Sequence, residues 1–183
     1  MKTFLKKSLI TVLALGTFSL ANANEMFVFK AANVKIDNKD AKVYEGIPVK
    51  VLKDVGNKNA LIEFSGIVFD NKIYTNKDKS LLLATLNEGS LGKKGEAKKI
   101  QAVIEKGYLT NDFAEIWEEH EEFFYEMCTQ CHAAHQASEH SMLEWDAILQ
   151  TMSGFAQLDE EETNYLSRYL KANSTNGFYS KTK

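Results

Sequence analysis

The hydrophobic period of this chain changes once, near Thr110, from about 2 to about 3.6 residues, and that change commits it to β-structure first and helices second. Before Thr110, short apolar runs rich in β-branched and aromatic residues recur: Met26 to Phe29, Val49 to Leu52, Ala60 to Phe64, Ile67 to Phe69, Lys72 to Thr75 and Leu81 to Leu86, with Ile100 to Ile104 as a further candidate. Asp70-Asn71 offers a two-residue hairpin turn, since both residue types tolerate positive φ, and Gly56-Asn57 offers another turn. Val49 and Val51 alternate with Lys50 as a half-buried strand should, and Pro48 fits the first position of that strand or a sheet edge. The glycine-containing stretch Asn87 to Glu96 predicts a loop. A small antiparallel β barrel or sandwich is therefore expected over residues 24–110.

After Thr110, Phe113, Ile116, Trp117, Phe124 and Met127 fall on one helical stripe that begins at Asp112-x-x-Glu115. A second helix is predicted from Ser141-x-x-Glu144, turning Trp145, Ile148, Leu149 and Met152 inward, and a third from Asp159-x-x-Glu162, carrying Tyr165, Leu166, Tyr169 and Leu170. Three helices of this size seldom bury enough apolar area to be stable alone, so residues 111–175 call for an additional core component. Residues 176–183 are left as a tail.

A composition of 44% apolar and 26% charged residues argues against disorder, while the single proline and 10 glycines exclude collagen-like and proline-rich classes. The first 23 residues read as a secretory signal. Lys2, Lys6 and Lys7 precede an apolar run from Ser8 to Leu20, and Ala21-Asn22-Ala23 supplies a small-x-small cleavage site. Export to the periplasm is expected. The charge of the remainder is uneven: residues 24–110 hold 15 lysines against 11 carboxylates, whereas residues 111–162 hold 14 carboxylates and no Lys or Arg. Phosphate would be repelled by the acidic half, so no nucleic-acid partner is expected there.

Both cysteines of the chain lie in Cys128-Thr129-Gln130-Cys131-His132, at the end of the first predicted helix. In this C-x-x-C-H spacing two thiols reach the two vinyl groups on one haem edge, and the adjacent imidazole turns under the ring toward iron. Other chemistries use such cysteines too. A disulfide suits an oxidising compartment but closes a very small loop. A thioredoxin-like pair wants a βαβ setting, and helices flank this one. A zinc site from Cys128, Cys131, His135 and His140 leaves His132 idle. One covalently attached haem c accounts together for the export signal, the pentapeptide and the undersized helical region. His132 is then the proximal iron ligand. Met152 is the leading distal candidate, with His140, His135 and Met142 as alternatives; a thioether there raises the potential relative to a second imidazole. Trp145, Tyr165 and Tyr169 are expected as pocket walls.

The run Cys128-x-x-Cys131-His132, then Glu144-Trp145-x-x-x-Leu149-x-x-Met152, then Leu158-x-x-Glu161-x-x-x-x-Leu166-x-x-Tyr169-Leu170 resembles the C-terminal monohaem domain of the pentahaem cytochromes that serve trimethylamine N-oxide reductases. The likeness covers about the last 75 residues. It implies an α+β chain in which the β barrel or sandwich is followed by a three-helix cytochrome c-like haem domain. The family's tetrahaem quinol-oxidising module and membrane anchor have no counterpart here, which implies a free carrier fed by a membrane-bound quinol-linked donor. The implied acceptor is a periplasmic reductase, a molybdenum-containing N- or S-oxide reductase, reached in anaerobic respiration. The chain is expected to be an electron carrier and not an enzyme. Two other functions fit the same residues: a haem sensor or peroxidase-like protein with an open sixth iron position, and an adaptor whose β half does the docking.

Overall fold

A computed structural model describes residues 25–178, so the signal segment expected over residues 1–23 and the end of the tail, 179–183, lie outside the described residues. Nine strands and three α-helices are formed among them. The strands are β1 (Glu25–Val28), β2 (Ala32–Ile36), β3 (Lys39–Val43), β4 (Pro48–Val55), β5 (Asn59–Phe69), β6 (Lys72–Tyr74), β7 (Leu82–Leu86), β8 (Glu96–Glu105) and β9 (Leu109–Thr110); the helices are α1 (Phe113–Cys128), α2 (Met142–Met152) and α3 (Glu160–Ala172).

Every strand pairing is antiparallel. β5, β6, β7, β3, β2 and β8 close a six-stranded ring, because β6 pairs with β7 on one side and with β5 on the other. β4, β1 and β9 continue the sheet outward from β5. Closure removes the ring's edges, which an open sandwich would have to cover or charge. The hairpin of β2 and β3 was not among the expected runs, since each strand carries few large apolar residues. Its alternation is nevertheless regular: Val34, Ile36, Ala41 and Val43 are buried while Asn33, Lys35, Asp40 and Lys42 are exposed. Asp37 and Asn38 make its turn at φ 49° and 63°. The two runs expected at Ala60 and Ile67 are one 11-residue strand, β5. Gly66 joins them, because a Cβ there would overlap Ile73 Cγ2 on the neighbouring strand.

The helix starts follow the chemistry of their caps. Asp112 accepts from the backbone N–H groups of Ala114 and Glu115, and the Ser141/Glu144 and Asp159/Glu162 pairs are complete capping boxes. At Asp112 the box is half made: Glu115 instead accepts from the Thr110 hydroxyl at 3.0 Å.

A barrel followed by a separate three-helix cytochrome c-like haem domain is not what the chain forms. The barrel is a closed ring, and the helices pack on it around one continuous hydrophobic cluster that runs from Val28, Ile47 and Ile62 through Phe113 and Trp117 to Leu166 and Leu170. The reason lies in α1, whose apolar stripe is wider than α2 and α3 can cover. Phe113 meets Phe27 of β1 edge-on at 5.0 Å. Trp117 lies against Gly46, which has φ 79° and leaves room for the indole only because it has no Cβ. From α3, the Arg168 guanidinium reaches back across the seam, donating to the carbonyl oxygens of Leu82 at 2.8 Å and of Glu45, facing the Glu45 carboxylate and lying 5.2 Å from the Tyr44 ring centre. The barrel supplies the core that three short helices lack.

Candidate functional site

The C-x-x-C-H segment sits where α1 stops. Thr129 and Gln130 turn their side chains back on the helix, the hydroxyl donating to the Tyr125 carbonyl at 2.6 Å and the amide to the Glu126 carbonyl at 3.2 Å. Those bonds satisfy carbonyls of the last turn, which a helix end leaves without intrahelical partners. Cys131 and His132 are thereby carried off the helix axis into the following turn. Both cysteines are free thiols, Cys128 half-buried and Cys131 exposed. Burial pushes the Cys128 thiol above its ordinary pKa.

His132 Nδ1 lies 2.8 Å from the Ala133 carbonyl oxygen. A carbonyl only accepts, so Nδ1 is the donor and Nε2 is the ring nitrogen left for another partner. The segment beyond is anchored from α2: Trp145 Nε1 donates to the Ala137 carbonyl at 2.8 Å, a buried bond that holds the stretch between the motif and α2 against the helices.

These elements enclose a cavity of about 610 Å³. Cys128, Cys131 and His132 line it from the end of α1, and Met152 lines it from the end of α2. Its apolar wall comes from Phe124 of α1, Trp145, Ile148 and Leu149 of α2, and Leu170 of α3. The volume is in the range of ~300–1,000 Å³ typical of cofactor pockets. A larger hollow of about 1240 Å³ lies on the barrel side, between β4, β5 and residues 176–178, and neither Cys nor His lines it.

Of the other expected site residues, His135 lines the 610 Å³ cavity, while Met142 is buried on the barrel side and lines the larger hollow. His140 stands behind the cavity wall, its ring edge-on to Trp145 at 4.9 Å. Trp145 is a wall of the cavity. Tyr165 and Tyr169 are in the seam between α1 and α3, where His120 stacks on Tyr165 at 3.7 Å and meets Trp117 edge-on at 5.0 Å. Burial pushes the His120 pKa down to about 4. Four cavity residues escaped sequence reasoning: Ala134 follows the motif, and Phe155, Ala156 and Gln157 follow α2 in a turn, with no periodicity to announce them. Phe155 is 78% exposed at the rim, an unusual position for so large an apolar ring.

The outer face of α1 is acidic. Glu118, Glu119, Glu122 and Glu126 are exposed and have no cationic partner among the described residues, whereas α3 is tied to α2 by Lys171 and Asp146 at 2.5 Å. Among the described residues no helix is long and apolar enough to cross a membrane.

Over 82 residues the chain is 34% identical to the cytochrome c-type protein TorC of Escherichia coli O157:H7, a stretch that is 44% of this chain and 21% of that relative. It is 33% identical over 82 residues to the cytochrome c-type protein TorC of Escherichia coli strain K12, with the same shares of each chain. The relationship is cytochrome c-like, and the chain spans about 21% of the length of these relatives. No family model matches the chain, and no solved structure matches it.

Proposed function

We propose that this chain is a periplasmic electron carrier holding one haem c, attached through Cys128 and Cys131, with His132 and Met152 as the iron's two protein ligands. The observation that carries this is one apolar cavity lined by two free thiols, the imidazoles of His132 and His135 and the thioethers of Met127 and Met152. The donor set suits the group: thiols in the C-x-x-C-H spacing for the ring edge, an imidazole whose free nitrogen is fixed by its Nδ1 bond, and a soft sulfur ligand for iron. Bound there, haem would supply one iron centre that alternates between ferric and ferrous states. The polypeptide does the rest. His132 is oriented by the Ala133 carbonyl, Phe124, Trp145, Leu149 and Leu170 exclude water, and the Trp145 bond to Ala137 holds the loop that carries the imidazole.

The partners follow from the resemblance of the helical half to the pentahaem cytochromes of trimethylamine N-oxide respiration and from the match to TorC. Electrons come from a membrane-bound quinol-linked donor and pass to a molybdenum-containing N- or S-oxide reductase; the chain itself is not an enzyme. Purification of the exported protein from a host with working cytochrome c maturation tests this directly. One covalently retained haem per chain is expected, and a colourless product overturns it.

Ligation by Met152 has its own signature. The ferric protein is expected to show the weak red-end band of sulfur-to-iron charge transfer. Met152→Ala abolishes that band and lets carbon monoxide bind the ferrous form, while Met152→His restores a low-spin spectrum at a lower reduction potential. Carbon monoxide binding by the unaltered protein would instead mark an open sixth position, as in a sensor or peroxidase-like protein.

The uncompensated carboxylates of α1 act as the docking face for a basic patch on the acceptor. Electrostatic steering of this kind is screened by salt, so the second-order rate of electron delivery should fall about tenfold or more between about 20 mM and about 500 mM salt. Stopped-flow rates that do not change across that range would remove α1 from the docking surface.

A further inference from the structure

Beside the cysteine motif, three further ligand-bearing side chains converge. His135, Glu139 and His140 each offer one donor atom, and the three donors lie within 4.8 Å of one another. His135 Nδ1 is 2.7 Å from Glu139 Oε2, and the two imidazole ring centres are 4.9 Å apart. His140 Nε2 is buried and has no hydrogen-bond partner, although its ring is held edge-on to Trp145 and its carbonyl accepts from Thr175 N–H at 2.9 Å. That ring nitrogen is free to act as a ligand.

We propose that His135, Glu139 and His140 form a site for a divalent transition metal of the zinc class, separate from the haem iron. Two imidazoles and a carboxylate are the donors such an ion takes, and the exposure of His135 and Glu139 leaves its fourth position to water. Donors sharing a tetrahedral zinc at about 2.0–2.1 Å stand roughly 3.4 Å apart. The His135–Glu139 contact, 2.7 Å, must therefore open by about 0.7 Å, within the freedom of two exposed side chains. The cysteines are not part of this cluster. A metal here ties the residue three after His132 to the residue before the Ser141 cap, clamping the same loop that Trp145 holds through Ala137.

The exported, haem-loaded protein, without an affinity tag, is dialysed against zinc chloride and its bound zinc is measured per chain. One zinc is expected, with a melting temperature raised by roughly 5–10 °C at a hundredfold excess of zinc over its Kd. His135→Ala and Glu139→Gln should each weaken binding by tenfold or more and remove the rise, and Glu139→Gln, whose side chain is not in the cavity lining, should leave the iron spectrum unchanged. No retained zinc, or zinc retained equally by both variants, overturns the site. So does a change of iron ligation in His135→Ala, which would give that imidazole to the haem. Zinc binding by a colourless product would support the site while removing the electron-carrier function, so the two stand or fall separately.

Discussion

On the proposed haem attachment, replacing Cys128 and Cys131 together by alanine will leave a chain with the barrel intact and no haem that survives acid-acetone extraction or denaturing electrophoresis. Each single replacement should keep at most one thioether, so haem staining on the gel falls stepwise. The melting temperature of the double variant should fall by about 10 °C or more, because a group bound only by the folded state stabilises it, and here its removal leaves an apolar cavity of about 610 Å³ open to water. The β-sheet signal should persist below that melt, since none of the barrel strands touches the cavity. Haem that remains covalently bound to the double variant would show that the two thiols are not its attachment points.

How much of this was legible in the sequence varied with the kind of signal. The helix starts were written in Asp112, Ser141 and Asp159, where a short polar side chain competes for the first free N–H groups, and the structure forms its helices at those residues. Both cysteines of the chain fall in one pentapeptide, and both line the 610 Å³ cavity together with His132. Strands with long apolar runs were visible, but β2 and β3 were not, since Ala32, Val34, Ala41 and Val43 bury through small side chains that do not stand out against Asn33, Lys35 and Lys42. Their turn at Asp37-Asn38 is of the same kind as the one expected at Asp70-Asn71 and was the signal to use.

The relation of barrel to helices was the larger miss. It depends on Gly46, Glu45 and Arg168, which are close in space and 122 or more residues apart in sequence for each pair with Arg168, and no period encodes such a contact. His120 was a local clue. It falls seven residues after Phe113, on the apolar stripe of α1, and a polar ring there signals a stripe that packs on something other than solvent; it stacks on Tyr165 at 3.7 Å. Three short helices call for a further core component, a role the sequence reading gives to haem. The barrel fills most of it, through Phe27 against Phe113 and Gly46 against Trp117.

Gly46→Ala should therefore unfold barrel and helices together. The new Cβ would overlap Trp117 Cζ2 and come within 3.0 Å of Cη2, at a residue whose φ of 79° already disfavours any side chain. The left-handed backbone costs about 1–2 kcal/mol and the overpacking about 1–3 kcal/mol, so a total of about 2–5 kcal/mol is expected. At this chain length that is a fall in melting temperature of roughly 5–15 °C. Gly56→Ala is the control, because Gly56 has a similar φ of 64° with nothing within 4 Å of the new carbon. It should lose only the backbone part. The difference between the two variants isolates the Trp117 contact, and a smaller residue at 117 should make the two substitutions less than additive. The far-UV β signal and the absorbance of the proposed haem should melt in one coincident transition in the unaltered protein and in Gly46→Ala alike. Two separated transitions, with the helical part keeping its own midpoint in Gly46→Ala, would restore the independent helical domain that this shared core rules out.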